Sequence, residues 1–374
     1  MKLDIPIEGI EAEVRSGNVV IQSSSPLRVL TSSVLGRSYS KSMAIVNHQV
    51  PVGNTAHIEP EKRFLETIDE LGLSRQTVGL MTAANVRNVS ILSKKYDELI
   101  VCAIATAGVI NSAAAADEAI EELSLSTINI IVLVDGNLTQ NCMVNVVMTA
   151  TEAKSAALRD LDIRSRFSTE PATGTTSDTV VVACTERGKR IMFAGTATKL
   201  GEMVGKTVKE TVKKAIQKQD ALKPNRPLVQ RLEERGIVFK RILDTAVELY
   251  NQYFDKSDED EITQKLANIL KNTLEDTNVS ALLLAGIRLN EDVCAGLVPN
   301  LCLKEFEHDN SLLTAGKTLG MSIANYLAGK EGVEALLKFG EEKTGILGEL
   351  EPILSDVFKG LFAGLSLKIL AKRK

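Results

Sequence analysis

The sequence has 374 residues, enough for two domains of about 150 residues each, and its 44% apolar and 25% charged residues exclude an intrinsically disordered chain. Lys and Arg number 44 against 48 Asp and Glu, a net charge of -4, which argues against a general nucleic-acid binder. Aromatic residues make up 4% with no Trp, so a single-strand binder built on base stacking is also disfavoured.

Short Val- and Ile-rich runs alternate with helical patterns over residues 1–222. We predict strands at 18–22, 98–105, 127–134, 179–184 and 189–193, and helices at 60–71, 138–161 and 199–218. Such alternation is typical of an α/β domain, here with a mixed sheet and helices. A linker is predicted at 223–227, where two prolines leave few side chains able to pack.

Strand patterns do not recur after the linker, and residues 228–374 are predicted to form an all-α domain. Its predicted helices are 228–235, 239–254, 258–273, 279–284, 312–328 and 331–340. The C-terminal run 352–370 contains three charged residues, which favours an amphipathic segment over a membrane span.

The remaining global signals indicate a cytoplasmic protein. The five cysteines are odd in number and include no CxxC pair, so we expect buried, reduced thiols. The N-terminus carries acidic residues and lacks the apolar core of a signal peptide. The uncharged run 99–116 ends in small and polar residues, which is typical of a buried strand and turn rather than a span.

Polar residues recur at helical spacing in the predicted helix 138–161. Asn141, Asn145, Thr149 and Glu152 are four, four and three residues apart and therefore share one face. This face is either a solvated stripe or a polar strip beside a cavity.

Two further segments have the chemistry of anion sites. The loop 173–178 combines glycine, hydroxyl residues and an aspartate before a strand, which suits either a backbone nest or an ordinary turn. Lys199 and Glu202 lie at the start of a predicted helix, whose N-terminus can stabilise an oxyanion, although Glu202 also fits as a simple acid near that N-terminus. His48, His57 and His308 are too scattered for a three-histidine zinc site. The residues alone leave both an enzyme and a ligand-binding module open.

Eight collinear segments together resemble the adenosylcobinamide amidohydrolase family of corrinoid salvage, over about residues 15–218. They are LTSSVLGRS (30–38), VNHQVP (46–51), TVGLMTAA (77–84), TAGVINSA (106–113), TINIIVLVDGNLT (127–139), MVNVVMTATEAKSAAL (143–158), ATGTTSDTVVVAC (172–184) and TKLGEMVG (198–205).

The resemblance implies hydrolysis of the amide that joins aminopropanol to the corrin ring, with the corrinoid as substrate and no cofactor in this domain. By direct water attack, Glu152 or His48 would be the base, and Lys199 or the adjacent helix N-terminus, near which Glu202 lies, would stabilise the oxyanion. A covalent route through Ser33 or Thr149 is the alternative. The predicted substrate-binding residues are Ser33, Asn111, Asp117, Asn145, Thr149, Thr173, Gly174 and Asp178.

The sequence departs from the family pattern at three places, one of them Gly36-Arg37, where two glycines are usual. Ala115 and Ala116 stand where a basic residue and a glycine are usual, and Ala197 stands where a histidine often precedes TKLGE. A corrinoid-binding protein with decayed catalysis is therefore an alternative to an active amidohydrolase.

The helical half resembles the soluble relatives of phosphatidylglycerophosphatase A, with the closest pattern that of the archaeal α-ribazole-5′-phosphate phosphatase. The segments are 227–237, 282–292, 319–329 and 343–364. This implies a second activity in corrinoid assembly, with Mg²⁺ held by acidic residues. The predicted metal ligands are Glu291, Asp292, Asp309 and Asp356. Asn310, Lys317 and Ser355 replace acids usual in that family, so a non-catalytic interaction domain is the alternative. We expect a homo-oligomer with a small-molecule corrinoid partner and no nucleic acid.

Overall fold

The computed structural model describes residues 1–33, 35–51, 59–119, 126–254, 259–308 and 313–371. The chain forms two compact units, Met1–Asn225 and Arg226–Lys374. The first contains a sheet and helices and the second contains helices, which confirms the predicted fold class of an α/β domain followed by an all-α domain.

Nine of the described strands of the first unit form one sheet. They are β1 (Lys2–Leu3), β2 (Ile10–Arg15), β3 (Asn18–Thr31), β4 (Tyr39–Gln49), β5 (Thr77–Thr82), β6 (Ser90–Tyr96), β7 (Leu99–Ala107), β9 (Ile128–Asp135) and β12 (Thr179–Cys184). Two small pairs are formed by β8 (Ser112–Ala113) with β11 (Gly174–Thr175) and by β10 (Asn137–Leu138) with β13 (Arg190–Ile191).

The large sheet folds over at β3. Its path is β1-β2-β3-β12-β9-β7-β6, and β4 pairs with β3 and carries β5. The first part of β3 pairs with β2 and the last part with β12, while the register of β3 against β4 is irregular between Gln22 and Leu27. Residues from both halves of the sheet, such as Ile45 and Leu80 against Ile104 and Leu133, share one apolar core, so the two halves face each other.

Helices cover the outer face of each half. α1 (Pro60–Glu70) packs Phe64 and Ile68 against Val20 and Val46. α2 (Gln140–Asp160) and α3 (Lys199–Asp220) pack against β7, β9 and β12. Both faces of β9 are therefore buried, which is why its sequence is almost continuously apolar.

Threonine caps fix the starts of α2 and α3. The Thr139 hydroxyl accepts a hydrogen bond from the Cys142 amide at 3.1 Å, and Thr198 accepts one from the Gly201 amide at 3.0 Å. These bonds satisfy backbone donors that have no partner within the helix. Gly201 is required here because a Cβ would lie 2.0 Å from the Gly195 carbonyl oxygen.

The second unit is a helical bundle around its last helix. The helices are α4 (Leu228–Glu233), α5 (Phe239–Tyr253), α6 (Glu259–Glu275), α7 (Thr277–Cys294), α8 (Leu303–His308), α9 (Ala315–Phe339) and α10 (Pro352–Ala371). α9 contains non-helical backbone at Ala328 and Gly329, close to the predicted break between two helices. α10 is buried around most of its circumference, so the prediction of an amphipathic segment is wrong.

Several local predictions are corrected by the structure. β4, β5 and β6 were not predicted, because their apolar runs are short or mixed with polar residues. Cys102, Cys142 and Cys184 are buried as expected, whereas the prediction of buried thiols is wrong for Cys294 and Cys302, which are exposed. None of the described helices combines the length and apolar composition that a membrane crossing requires.

Candidate active site

One end of the folded sheet collects the ends of strands from both halves. Gln49 at the end of β4 pairs with Thr82 at the end of β5. Ala107 at the end of β7 pairs with Ile128 at the start of β9. β12 begins next to the start of β9, because Thr179 pairs with Asn129 of that strand. We call this end of the first unit the polar end, because its side chains are largely hydroxyls and carboxamides.

Four buried side chains form an inner polar cluster at the polar end, between the two halves of the sheet. They are Asn47, Thr106, Thr127 and Asn129, each 4% exposed or less. Asn129 Nδ2 donates to Asn47 Oδ1 at 2.9 Å and to the Met81 carbonyl at 2.7 Å, and Asn47 Nδ2 donates to Thr106 Oγ1 at 2.8 Å. Buried carboxamides require such partners, so the cluster fixes how the two halves meet.

The inner polar cluster continues into the loop 173–178. Thr127 Oγ1 donates to the Ser177 carbonyl at 2.8 Å. Asp178 Oδ1 accepts from the Ile128 amide at 3.0 Å, and Asp178 Oδ2 accepts from the Thr175 amide at 3.0 Å. The Thr175 hydroxyl also donates to Asp178. Asp178 therefore ties the loop to the start of β9.

Asp178 also forms an ion pair with Lys154 of α2. The side chains are 10% exposed for Lys154 and 11% for Asp178. Gly174 lies against this pair, because a Cβ at that position would be 2.3 Å from Asp178 Oδ2 and 2.6 Å from Lys154 Nζ. The glycine in this loop is thus explained by close packing against the ion pair rather than by a positive φ.

The structure brings two more predicted binding residues, Asn111 and Asp117, to the region of this loop. Asn111 Nδ2 donates to Thr176 Oγ1 at 2.6 Å, and the Ala115 amide donates to Thr173 Oγ1 at 2.9 Å. Asp117 anchors the same region by accepting from the Ser165 hydroxyl at 2.6 Å and the Ala114 amide at 2.7 Å.

Burial acts to raise the pKa of Asp117. The hydrogen bonds from Ser165, Ser168 and Ala114 outweigh that effect and hold the pKa below its usual value. The Asp117 carboxylate is therefore kept ionised in a structural role.

Ser33 follows the end of β3 and lies between β12 and β5. Its neighbour Ser32 accepts from the Val180 amide at 3.1 Å, and the Ser33 hydroxyl donates to the Gly79 carbonyl. Ser33 is 9% exposed. Ser33, Asn111, Asp117, Thr173, Gly174 and Asp178 thus all belong to the polar end.

His48 lies near this end but on the opposite face of β4 from Asn47, since successive side chains of a strand alternate. Its Nδ1 is 2.8 Å from Asn18 Oδ1, on the face that α1 covers. Burial lowers the pKa of His48, and Arg63 lowers it further against the opposing effect of Glu70. The neutral imidazole is therefore favoured.

Asn145 and Thr149, two other predicted residues, lie towards the far end of β9 and contact Ala194. Asn145 accepts from the Ala194 amide at 3.5 Å, and Thr149 donates to the Ala194 carbonyl at 3.0 Å. That segment follows β13, which pairs with β10 just after β9 ends. At 1.5 Å per residue, Asn145 and Thr149 lie about 13 Å and 8 Å before Lys154 along the axis of α2, and in the described residues no hydrogen bond joins them to the loop 173–178.

Lys199 and Glu202 belong to this far group and are partly exposed. Lys199 Nζ lies 2.7 Å from Glu202 and 4.7 Å from the centre of the Tyr96 ring. Hydrogen bonds from Lys199 and Lys206 lower the pKa of Glu202 to about 2, and the bond to Glu202 raises the pKa of Lys199. The arrangement is that of a surface ion-pair network at a helix start.

Glu152 is exposed on α2, and no hydrogen bond or ion pair joins it to another residue in the described parts of the chain. It lies one helical turn before Ser155, whose hydroxyl donates to the Thr173 carbonyl at 2.9 Å. The structure therefore does not join Glu152, His48 and Lys199 into one catalytic group.

The predicted metal ligands of the helical unit have other partners. Glu291 is held by Arg235 at 2.9 Å and by Arg288 at 2.6 Å. Burial raises the pKa of Asp356 against the effect of Lys359, 4.0 Å away. Asp292 is exposed, and Asp309 lies outside the described residues. Within the described ranges no three His, Cys, Asp or Glu side chains form a group that could hold a metal ion.

Sequence reasoning missed Lys154, Asn47, Thr106 and Asn129. A signal for Lys154 was present, since it falls on the apolar face of α2 with the buried Ala150, Ala157 and Leu158. A lysine at such a position needs a buried partner. Asn47 and Asn129 interrupt strand residues that point into the core, but their pairing across 82 residues has no local signal.

Comparisons with known proteins agree on the first unit. Residues 5–224 match the family model described as adenosylcobinamide amidohydrolase. An adenosylcobinamide amidohydrolase of Methanosarcina mazei is 29% identical over 182 residues, 46% of this chain and 82% of that protein. An uncharacterized protein of Methanocaldococcus jannaschii is 29% identical over 241 residues, 59% of this chain and 92% of that protein.

Among solved structures, the low temperature requirement C protein of Listeria monocytogenes matches this chain over a region that covers 39% of this chain and 93% of that protein. The identity is 22% and the TM-score 0.32, a likeness that carries no functional argument.

Proposed function

We propose that this chain, which belongs to the adenosylcobinamide amidohydrolase family, hydrolyses the amide between aminopropanol and the corrin ring of adenosylcobinamide. The products are adenosylcobyric acid and 1-amino-2-propanol, and the corrinoid is the substrate. The observation that carries the proposal is the family match over residues 5–224.

The polar end supports this reaction chemically. Amide hydrolysis needs an attacking water or nucleophile, a donor for the carbonyl oxygen and an acid for the leaving amine. The hydroxyls and backbone of the loop 173–178, with Asn111 beside it, can bind amide groups of a substrate. Glu152 and His48 stay predictions for the catalytic base. Lys199 and Glu202, towards the far end of β9, stay predictions for oxyanion stabilisation.

The low aromatic content agrees with this kind of site. With no Trp and 4% aromatic residues, a corrinoid would be bound by small residues, backbone and amide or hydroxyl side chains. Ser33, Asn111 and Thr173 provide such groups at the polar end.

The test incubates the purified full-length protein with adenosylcobinamide. Release of free 1-amino-2-propanol together with adenosylcobyric acid, both followed by chromatography, is the expected result. Binding of adenosylcobinamide without release would favour the alternative of a corrinoid-binding protein with decayed catalysis. If the protein neither binds adenosylcobinamide nor releases 1-amino-2-propanol, the proposed function is overturned.

A phosphatase activity of the helical unit on α-ribazole-5′-phosphate stays a prediction, as do its use of Mg²⁺ and homo-oligomer formation. Phosphate release measured with and without Mg²⁺ tests the activity. Absence of release at every metal concentration would favour a non-catalytic helical interaction domain.

A further inference from the structure

Lys154 is a buried cation on the side of α2 that faces the sheet. Its neighbours on that side of the helix, Ala150, Ala157 and Leu158, are fully buried, and its own side chain is 10% exposed. Removing an ammonium group from water is costly unless the site returns hydrogen bonds or charge. The position therefore needs an explanation beyond helix packing.

Asp178 and Lys154 differ in how much of their hydrogen-bonding capacity is used within the described residues. The Asp178 carboxylate accepts from the Ile128 amide, the Thr175 amide, the Thr175 hydroxyl and Lys154 Nζ, which occupies both of its oxygens. Lys154 Nζ carries three N–H donors, and within the described residues Asp178 is its one hydrogen-bond partner. Asp178 is thus saturated, whereas Lys154 retains donors for a further acceptor.

The surroundings of Lys154 are those of a binding site rather than of a plain surface. The ammonium lies against Gly174, where a Cβ would be 2.6 Å from Nζ, so the backbone of the loop 173–178 approaches it closely. Ser155, the next residue on α2, donates to the Thr173 carbonyl of the same loop. An acceptor bound over this loop would meet Nζ and the loop together.

We propose that Lys154 Nζ binds the carbonyl oxygen of the scissile amide and stabilises the oxyanion that forms on it. This inference rests on the proposed function. Water oxygen bonds to the amide carbon, and the carbonyl π pair moves to the oxygen bound by Lys154. The C–N bond then breaks, both protons of the water end on the amine nitrogen, and the products are a carboxylate and an ammonium. The new carboxylate keeps Lys154 as its partner.

Lys154 suits this role better than Lys199 does. Lys199 is 46% exposed and already shares its charge with Glu202 and the Tyr96 ring. A charge at an exposed position is screened by water, whereas a fixed donor in a water-poor site is screened less, and the N–H groups that Lys154 does not donate to Asp178 can stabilise a developing charge.

The experiment compares kcat, KM and thermal midpoint for Lys154→Met, Lys154→Gln and Lys154→Arg. Lys213→Met is the matched control, because Lys213 is also partly buried and paired with an aspartate, Asp160, between α2 and α3. We expect Lys154→Met and Lys154→Gln to lower kcat by about 10²–10³-fold with little change in KM, as for the loss of an oxyanion donor. Lys154→Arg should recover at least tenfold of that loss, and Lys213→Met should retain kcat.

Activity of Lys154→Met or Lys154→Gln within threefold of wild type would overturn the proposal, as would equal activity of folded Gln and Arg variants. A purely structural lysine would instead lower the thermal midpoint and the active fraction, with kcat per folded molecule unchanged.

A second measurement uses the wild-type protein, in case the variants do not fold. The inhibition constant of adenosylcobyric acid is compared with the KM of adenosylcobinamide; in a protein without hydrolytic activity, equilibrium dialysis compares the dissociation constants of the two corrinoids. An ammonium at the carbonyl position predicts that the carboxylate binds at least as tightly and that its affinity falls with added salt. Weaker binding of the carboxylate would overturn the proposal even in a protein without hydrolytic activity, while absence of hydrolysis with tight carboxylate binding would reject the proposed function alone.

Discussion

Asn47 and Asn129 join the two halves of the folded sheet, with Asn129 Nδ2 donating to Asn47 Oδ1 at 2.9 Å between strands that are not neighbours in the sheet. Both side chains are 2% exposed or less, and the second hydrogen of Asn129 Nδ2 is donated to the Met81 carbonyl. At the polar end, this contact therefore holds the two facing halves of the sheet together through buried side chains.

Asn129→Ala is expected to lower the free energy of unfolding by several kcal/mol, because it leaves Asn47 Oδ1 and the Met81 carbonyl without this donor, at about 1–3 kcal/mol for each unsatisfied group. A double-mutant cycle with Asn47→Ala, measured by urea unfolding, should give a coupling of about 0.5–3 kcal/mol. Strictly additive effects would show that the two carboxamides act independently.

Asp178→Ala is expected to destabilise the first unit by about 3–5 kcal/mol, because it leaves the ammonium of Lys154 buried without its counter-charge. The matched control is Asp69→Ala, which breaks an ion pair with Arg75 whose side chains are both 58% exposed. That change should cost less than about 1 kcal/mol. Similar losses for the two variants in urea unfolding would contradict a buried, energetically coupled Lys154–Asp178 pair.

His48 makes stability depend on pH. Its pKa is lowered by burial and by Arg63, against Glu70, so the unfolded chain binds the proton more readily. The stabilisation is complete above the ordinary histidine pKa of about 6.5 and is lost as the pH falls through the lower pKa of the folded state.

The free energy of unfolding should therefore fall more steeply between pH 7 and pH 5 in the wild type than in His48→Gln, which keeps a polar side chain beside Asn18. Since His57 and His308 are present in both proteins, the difference reports His48. Parallel pH profiles would exclude the effect.

Glu152→Gln separates two catalytic assignments. Glu152 precedes Lys154 by two residues, about 200° around the helix axis, so the two side chains cannot converge on one amide. If Lys154 binds the carbonyl oxygen, Glu152→Gln should keep kcat within about threefold of wild type. A hundredfold loss of kcat with an unchanged thermal midpoint would identify Glu152 as the base and count against Lys154.

The sequence by itself determined the elements whose signals are local. Apolar runs and helical spacing predicted β12 at its observed bounds, β9 and α2 within one or two residues and α3 from Lys199, together with the change from α/β to all-α. It also placed Asn111, Thr173 and Asp178 as binding candidates, and these residues do lie together. Burial of one face imposes a repeat that a single segment displays, so such features can be read without the fold.

Only the tertiary structure decided which polar side chains meet. Asn47 and His48 are adjacent in sequence, yet one enters the inner polar cluster and the other packs under α1, because the register of β4 assigns them to opposite faces. The same folding of the sheet joins Lys154 to Asp178 and sends Lys199 and Glu202 to the far end of β9. These outcomes depend on strand order and register, which arise from contacts between segments distant along the chain and leave no periodic trace in either segment alone.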